Sequence, residues 1–128
     1  MNIKNYINGE YVNPVSDSWI DNYNPSNGEI YGQIPDSINE DVENGYKAEQ
    51  TAFLSWSETS LEERSQILSK IAQLITEKLP ELAAAEAKDN GKPLHVAKSI
   101  DIPRAAANFQ FFANAITQFA SEAHESVG

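Results

Sequence analysis

The chain has 128 residues, about the length of one domain, and 41% of them are apolar, as in an ordinary globular protein. Its 9 Lys and Arg residues against 19 Asp and Glu residues give a formal net charge of −10, which disfavours nucleic-acid and anionic-membrane partners. Because the chain has no cysteine, it lacks disulfides, thiolate metal sites and a cysteine nucleophile. No apolar run reaches the roughly 20 residues that span a bilayer, and no signal peptide is visible, so the expected location is cytoplasmic.

The first 36 residues have the composition of an extended, turn-rich arm. The pair Asn8-Gly9 lies between two short apolar runs and accepts the positive φ angles of a tight hairpin turn. A second turn is predicted at 24–28, where Asn, Pro, Ser, Asn and Gly follow one another, and 29–34 is interpreted as a further short strand. The chain is therefore divided into a β-hairpin arm over 1–36 and a helical segment over 37–128.

About four α-helices are predicted in the helical segment, which makes the fold class α+β. The first two are expected to begin at capping boxes, in which an N-cap Ser is followed three residues later by Glu: Ser37 with Glu40, and Ser60 with Glu63. Gly45 lies inside the first helix, where glycine costs about 1 kcal/mol relative to Ala. A close helix contact at Gly45 is the simplest explanation for that cost.

The third and last helices also carry end signals. Pro80 suits the first turn of the third helix, and Asn90-Gly91 is expected to end that helix in a left-handed cap. The last helix is predicted from Asp101 or Ile102 to about Ala123. Its aromatic stripe is interpreted as a packing surface, and the stripe consists of Phe109, Phe112, Ile116 and Phe119.

Asp89 is a candidate cation ligand. It lies in the last turn of its helix, where the negative end of the dipole disfavours a carboxylate by about 0.3–1 kcal/mol. A carboxylate among free carbonyl oxygens is suitable chemistry for a hard cation. The alternative is that Asp89 points into water or is paired by Lys88 or Lys92. His95 and His124 have no partner carboxylate at metal-ligand spacing and are interpreted as surface or helix-end residues.

Arg104 is the second candidate, at the start of the last helix and among apolar neighbours. A guanidinium group in such a place favours a carboxylate partner, which its planar fork can bind through two hydrogen bonds. That partner is either internal, because Asp101 lies three residues earlier, or the acidic end of a substrate.

Five short segments, in their order and spacing, resemble the aldehyde dehydrogenase superfamily. They are Tyr6-Ile7-Asn8-Gly9-Glu10, Asn24-Pro25-Ser26-Asn27-Gly28-Glu29, Ala52-Phe53 with Trp56, Glu63-Arg64-Ser65 with Ile67-Leu68, and Asp89-Asn90-Gly91-Lys92-Pro93. A further set is similar to the branch that acts on 2-aminomuconic or 2-hydroxymuconic 6-semialdehyde: Asp101-Ile102-Pro103-Arg104, Asn108-Phe109 and Phe111-Phe112-Ala113. By this resemblance the chain is identified as an N-terminal segment of that family's α/β fold.

The resemblance implies an oxidoreductase that uses NAD, or NADP, to oxidise an aldehyde, with a carboxylate-bearing semialdehyde as the expected substrate. In that family a cysteine thiolate attacks the aldehyde, hydride passes to the nicotinamide, and a glutamate activates water. The resemblance places these groups and the glycine motif for the cofactor phosphates beyond position 128. No catalytic or cofactor-binding residue is therefore expected in this chain, which alone should be inactive. The expected partners are the remainder of the enzyme, a small aldehyde and further copies in a homo-oligomer.

Two sites within the chain are also implied by the resemblance. A monovalent cation, K⁺ or Na⁺, is expected at Asp89 and at the backbone carbonyls of Asn22 and Tyr23. The start of the last helix, here Ile100 and Arg104, is expected to line the substrate tunnel, where Arg104 suits a substrate whose far end is a carboxylate.

The competing hypothesis is a stand-alone helical module without catalysis. Its apolar faces would bind a partner or a second copy of the chain. Cooperative melting of the isolated chain would favour this module, and molten behaviour would favour a piece of a larger domain.

Overall fold

Four short strands precede the helices and form two separate antiparallel pairs, in a computed structural model that describes residues 2–120. The strands are, in chain order, β1 (Asn5–Ile7), β2 (Glu10–Val12), β3 (Trp19–Tyr23) and β4 (Ile30–Pro35). β1 pairs with β2, and β3 pairs with β4. The main chain links the two pairs, because the Ile3 N–H donates to the Gln33 carbonyl at 2.9 Å. The extended arm predicted from the sequence is confirmed as two hairpins.

Both predicted turns are present. Asn8 and Gly9 connect β1 to β2 with φ angles of 53° and 82°, the left-handed conformation that this pair tolerates. The turn between β3 and β4 closes where the Gly28 N–H donates to the Asn24 carbonyl at 2.8 Å. The turn at 24–28 thus holds one hairpin together and presents its own tip to the helices.

The helices follow in one run with short connections. They are α1 (Asn39–Trp56), α2 (Leu61–Glu77), α3 (Leu79–Asn90), α4 (Leu94–Val96), a π-helical segment (Ala97–Asp101) and α5 (Ile102–Ile116). The α+β class is therefore confirmed. Within residues 2–120, no helix combines the length and the apolar character that a membrane crossing needs.

The predicted start of the last helix is confirmed, since α5 begins at Ile102, but its predicted end is wrong. The helix is preceded directly by α4 and the π-helical segment, and the wider turn lies just before Pro103, which has no N–H group for a helical hydrogen bond. It ends at Ile116, where the Thr117 hydroxyl donates to the Asn114 carbonyl at 3.0 Å and the chain continues as a turn. The predicted end at Ala123 lies outside the described residues.

The capping box of α2 is confirmed. The Glu63 N–H donates to the Ser60 hydroxyl oxygen at 3.1 Å, and the Glu63 carboxylate accepts from the Ser60 N–H at 3.0 Å. The neighbouring Arg64 closes the preceding helix: its guanidinium donates to the carbonyls of Trp56 and Ser57 at 3.0 and 3.1 Å. These two residues of the Glu63-Arg64-Ser65 segment therefore have structural roles.

The capping box predicted for α1 is wrong. The helix begins after Ile38, and Asp41 provides the cap: one carboxylate oxygen accepts from the Ile38 N–H and the other from the Val15 N–H, both at 2.9 Å. Asp41 is buried, with 5% of its surface exposed. The Ser37 hydroxyl instead exchanges hydrogen bonds with the Asn5 side chain. A carboxylate that binds two backbone N–H groups thus replaces the serine as the cap.

Apart from Pro14 and Asp41, the buried residues of 2–120 are all alanines. α2 and α5 make the most extensive helix contact, and the Ser65 hydroxyl of α2 donates to the Ala113 carbonyl of α5 at 2.7 Å. Since alanines allow two backbones to approach closely, this pair needs no large interlocking side chain. The buried alanines are Ala72, Ala83, Ala97, Ala106 and Ala113.

The aromatic stripe of α5 packs only in part within residues 2–120: Phe109 is 37% exposed and Ile116 is half-buried, but the other two residues are not covered. Phe112 is 62% exposed, and Phe119, beyond the end of the helix, is 85% exposed. The face that meets α2 carries Ala106 and Ala113, seven residues apart on one side of the helix. Large exposed apolar side chains also line α1, namely Val42, Tyr46, Phe53, Leu54 and Trp56.

The close helix contact expected at Gly45 is also absent. A Cβ atom added at Gly45 would meet no atom within 4 Å among the described residues, since this position faces an open groove between α1 and the first hairpin. We therefore expect Gly45→Ala to raise the free energy of unfolding by about 0.5–1 kcal/mol, the propensity gain in a helix interior. Urea unfolding followed by circular dichroism measures this change. A loss of stability instead would show that another segment fills the groove.

Candidate functional site at the start of helix α5

The second hairpin and the end of α3 meet in close contact. Gly91 ends α3 with a φ angle of 77°, which confirms the predicted left-handed cap. The position that a Gly91 Cβ would occupy lies 2.8 Å from the Pro25 Cγ atom. Two of the segments that carry the family resemblance, at 24–29 and 89–93, therefore pack against each other, and only glycine leaves room for the turn at Pro25.

Asp89 is held by the second hairpin. Its Oδ1 atom accepts from the Tyr31 hydroxyl at 2.5 Å and from the Asn22 side-chain amide at 3.0 Å. Hydrogen bonding to Tyr31, and then to Asn22, lowers the pKa of Asp89, while the bond to Asp89 raises the pKa of Tyr31. Lys88 lies over the Tyr31 ring, with its Nζ atom 4.5 Å from the ring centre. Asp89 thus has neutral hydrogen-bond donors as partners. These differ from the cation, the water and the lysine that the sequence predicted.

The structure brings Asn22 and Asp89 together, but through the Asn22 side chain and not through the backbone carbonyl that was expected to bind the cation. Asn22 contacts Asp89 through its side-chain amide, so hydrogen atoms face the Oδ1 atom where a cation would otherwise lie. The Tyr23 side chain is 54% exposed. Residues 2–120 contain no cluster of three or more His, Cys, Asp or Glu side chains that could hold a metal ion. A cation would therefore depend on the second Asp89 oxygen and on backbone carbonyls, and its site stays a prediction.

Lys92 forms ion pairs with two carboxylates in this region. Its Nζ atom lies 2.7 Å from a carboxylate oxygen of Asp101 and 3.2 Å from one of Glu86. The hydrogen bond to Asp101 is the main reason that the pKa of Lys92 is raised, and the bond to Glu86 adds to it. This role for Lys92 was not predicted from the sequence. The available signal was its position directly after the helix cap at Gly91, which fixes the backbone from which the side chain extends.

Arg104 lies on the first turn of α5 and is exposed. Its guanidinium makes no hydrogen bond or ion pair with any residue in the described range, 2–120. The internal partner that the sequence offered, Asp101, is bound by Lys92 instead. Ile100, the other expected tunnel residue, belongs to the π-helical segment and is 54% exposed. Both residues therefore present their side chains outwards.

An open groove lies beside Asp89, and its lining includes neither Arg104 nor Ile100. It has a volume of about 560 Å³ and runs between α3 and the start of α5. Asp89 lies along it together with Ile102, the first residue of α5. The remaining lining residues are Tyr31, Leu82, Ala84, Ala85, Glu86 and Lys88. The mixture of alanine walls with charged groups is typical of a surface that another part of a protein, or a small polar molecule, can cover.

Comparison with known proteins supports the family resemblance that these segments indicate. The model of the Aldehyde dehydrogenase family matches residues 11–127. The chain is 45% identical over 120 residues to 2-aminomuconic semialdehyde dehydrogenase of Bos taurus, an alignment that covers 94% of this chain and 24% of that protein. It is 37% identical over 124 residues to 2-hydroxymuconic semialdehyde dehydrogenase of Pseudomonas sp. (strain CF600), which covers 96% and 26%. The chain therefore spans about a quarter of the length of these relatives.

Solved structures share the fold. PnpE in complex with nicotinamide adenine dinucleotide superposes with a TM-score of 0.95 at 30% identity, over 99% of this chain and 26% of that one. The NAD⁺ complex of aldehyde dehydrogenase from Bacillus cereus gives a TM-score of 0.91 at 35% identity, over 95% and 25%. Since the family model covers more than half of the sequence and the folds coincide, this chain belongs to the aldehyde dehydrogenase family.

Proposed function

We propose that this chain is the N-terminal part of an NAD- or NADP-dependent aldehyde dehydrogenase that oxidises a carboxylate-bearing semialdehyde to the acid. The observation that carries the substrate class is Arg104, an exposed guanidinium without an ion pair in residues 2–120, on the helix turn where the substrate tunnel is expected. A guanidinium can bind a carboxylate through two charge-assisted hydrogen bonds. Ile100, one turn earlier, would provide apolar contact for the carbon chain of the substrate.

The relatives support the same substrate class and cofactor. The names of the two relatives compared above include semialdehydes of muconic acids, molecules with a carboxylate far from the aldehyde. Two of the matching structures contain NAD. Because residues 1–128 include no cysteine, the chain supplies no thiolate for an attack on the aldehyde. Its part in the reaction is therefore to recognise the substrate, and NAD would contact other parts of the enzyme.

The exposed apolar side chains of α1 and α5 favour a piece of a larger domain over an autonomous module. An autonomous module would bury residues such as Phe111 and Phe112, which are 64% and 62% exposed. We assign these faces to contact with the remainder of the enzyme, which we place in the cytoplasm as a homo-oligomer. A full-length protein that sediments as a monomer would contradict the oligomer.

The substrate proposal is tested by Arg104→Ala in the full-length enzyme. The matched substrates are 6-oxohexanoate and hexanal, which have six carbons each and differ in the distal carboxylate. We expect the KM for 6-oxohexanoate to rise about tenfold or more, the scale of a lost hydrogen bond to a charged group. The KM for hexanal should change less than about twofold, because a neutral chain end has no ionic contact to lose.

Arg104→Lys is the companion variant in this test. It keeps the charge but loses the planar fork, so it should restore only part of the affinity for 6-oxohexanoate. Equal changes of KM for the acid and the neutral aldehyde in Arg104→Ala would contradict the carboxylate contact.

We also propose that Asp89 takes part in a K⁺ or Na⁺ site with the carbonyls of Asn22 and Tyr23. Its expected sign is a higher melting temperature of the full-length enzyme in K⁺ or Na⁺ than in tetramethylammonium at equal ionic strength. Asp89→Asn should remove the difference, because an amide has no net charge for the cation. Equal melting temperatures of the unsubstituted enzyme in all three salts would contradict the site.

A further inference from the structure

Lys92, Asp101 and Arg104 carry two positive charges and one negative charge. The partner that Asp101 takes determines which of the two cations is left without this carboxylate. Asp101 lies three residues before Arg104, a spacing at which side chains on a helix are neighbours. Its carboxylate nevertheless binds Lys92 at 2.7 Å, and Lys92 is also held by Glu86 at 3.2 Å. Arg104 has no ion pair within residues 2–120. One carboxylate that could neutralise Arg104 is thus occupied by the lysine.

The fold fixes Lys92 in this place. The lysine directly follows Gly91, whose left-handed cap packs against Pro25. The Lys92 N–H donates to the Asn90 side-chain oxygen at 2.9 Å, which adds a second constraint on its backbone. On the other side of the ion pair, Asp101 ends the π-helical segment, where the wider turn changes the direction of side chains relative to a continuous α-helix. Both partners therefore start from backbone positions that local geometry determines.

We propose that Lys92 is a positioning residue for substrate specificity: by binding Asp101, it keeps the Arg104 guanidinium free to bind the distal carboxylate of the substrate. The inference rests on the proposed function of Arg104. Without Lys92, the two carboxylates at Glu86 and Asp101 would lose their cation. Asp101 would then have Arg104, three residues later and in the α-helix, as a positive partner at helical spacing, while Lys98 lies three residues earlier in the π-helical segment. A neutralised Arg104 binds an incoming carboxylate more weakly, whereas a neutral aldehyde is unaffected.

The experiment is Lys92→Met in the full-length enzyme, assayed with 6-oxohexanoate and hexanal. We expect the KM for 6-oxohexanoate to rise about fivefold, the scale of one partly exposed charge pair. The kcat for both substrates and the KM for hexanal should change less than about twofold. Calorimetric binding of adipate, the diacid product, should weaken by a similar factor, which provides a readout independent of turnover.

The deciding variant is the double substitution Lys92→Met with Asp101→Asn. It removes the competing carboxylate together with its lysine, so the KM for 6-oxohexanoate should return to within about twofold of the original value. Lys98→Met removes an equal charge from the π-helical segment at an exposed position, and it should leave the ratio of the two KM values unchanged. If the methionine variant does not fold, Lys92→Gln replaces it, and the KM for 6-oxohexanoate should change in the same direction.

The outcomes separate this inference from the function on which it rests. If Arg104→Ala affects both substrates equally, the carboxylate contact itself is wrong. If Arg104→Ala is selective for the acid but Lys92→Met is not, Lys92 has no positioning role. Failure of the double variant to recover the KM for 6-oxohexanoate would likewise overturn the proposal, because a merely structural role for Lys92 predicts no recovery.

Discussion

Replacement of Gly91 by Ala is expected to lower the free energy of unfolding by about 2–3 kcal/mol, from left-handed strain and steric overlap together. Gly91 has a φ angle of 77°, and the added Cβ would lie 2.8 Å from the Pro25 Cγ and 3.3 Å from the Pro25 Cβ. Either the turn at Pro25 or the end of α3 must therefore move. Because Asp89 and Lys92 flank this cap, the displacement would also weaken the bonds of Asp89 to Tyr31 and Asn22.

Gly28→Ala is the matched control for this prediction. Gly28 has a similar φ angle of 73°, but a Cβ there would meet no atom within 4 Å among the described residues. Gly28→Ala should therefore lower the free energy of unfolding by only about 1 kcal/mol, because the conformational cost applies without the steric one. Urea unfolding of both variants gives the difference, which measures the contact with Pro25. Similar losses in the two variants would show that the contact carries no energy, and Pro25→Ala in the Gly91→Ala background should recover part of the loss.

Asp41→Ala is expected to destabilise the chain by about 2–3 kcal/mol, because it leaves two backbone N–H groups without an acceptor. The carboxylate caps α1 at Ile38 and at the same time binds Val15, in the segment between the hairpins. Since Asp41 is only 5% exposed, water cannot easily replace it at either group. The loss should therefore exceed that of an ordinary exposed helix cap.

Two further variants test the assignment of Asp41. Asp41→Asn keeps one carbonyl oxygen and should lose less stability than Asp41→Ala. Glu43→Ala removes a carboxylate from an exposed position on the same helix, and it should change the free energy of unfolding by less than about 0.5 kcal/mol. Chemical unfolding followed by circular dichroism compares the three. A loss in Asp41→Ala no larger than in Glu43→Ala would contradict the cap.

Interactions over a few residues could be predicted from the sequence. The Asn8-Gly9 turn, the Ser60 and Glu63 capping box and the Gly91 cap each depend on groups at most four residues apart, so residue type and spacing determine them. The cap of α1 combines a local and a distant contact. The bond of Asp41 to Ile38 spans three residues, but Val15 lies 26 residues away, and no local pattern carries that second bond.

The candidate site divides in the same way. The sequence by itself determined the family segments, the absence of a cysteine and the location of Asp89 and Arg104 at helix ends, because these are properties of residue order. Only the tertiary structure decided their partners: Asp89 binds Tyr31, 58 residues earlier, and Asp101 binds Lys92 in preference to Arg104. The physical reason is that hydrogen bonds and ion pairs depend on distances of about 3 Å. Such distances exist only after the hairpin packs on α3 and the π-helical segment sets the direction of Asp101.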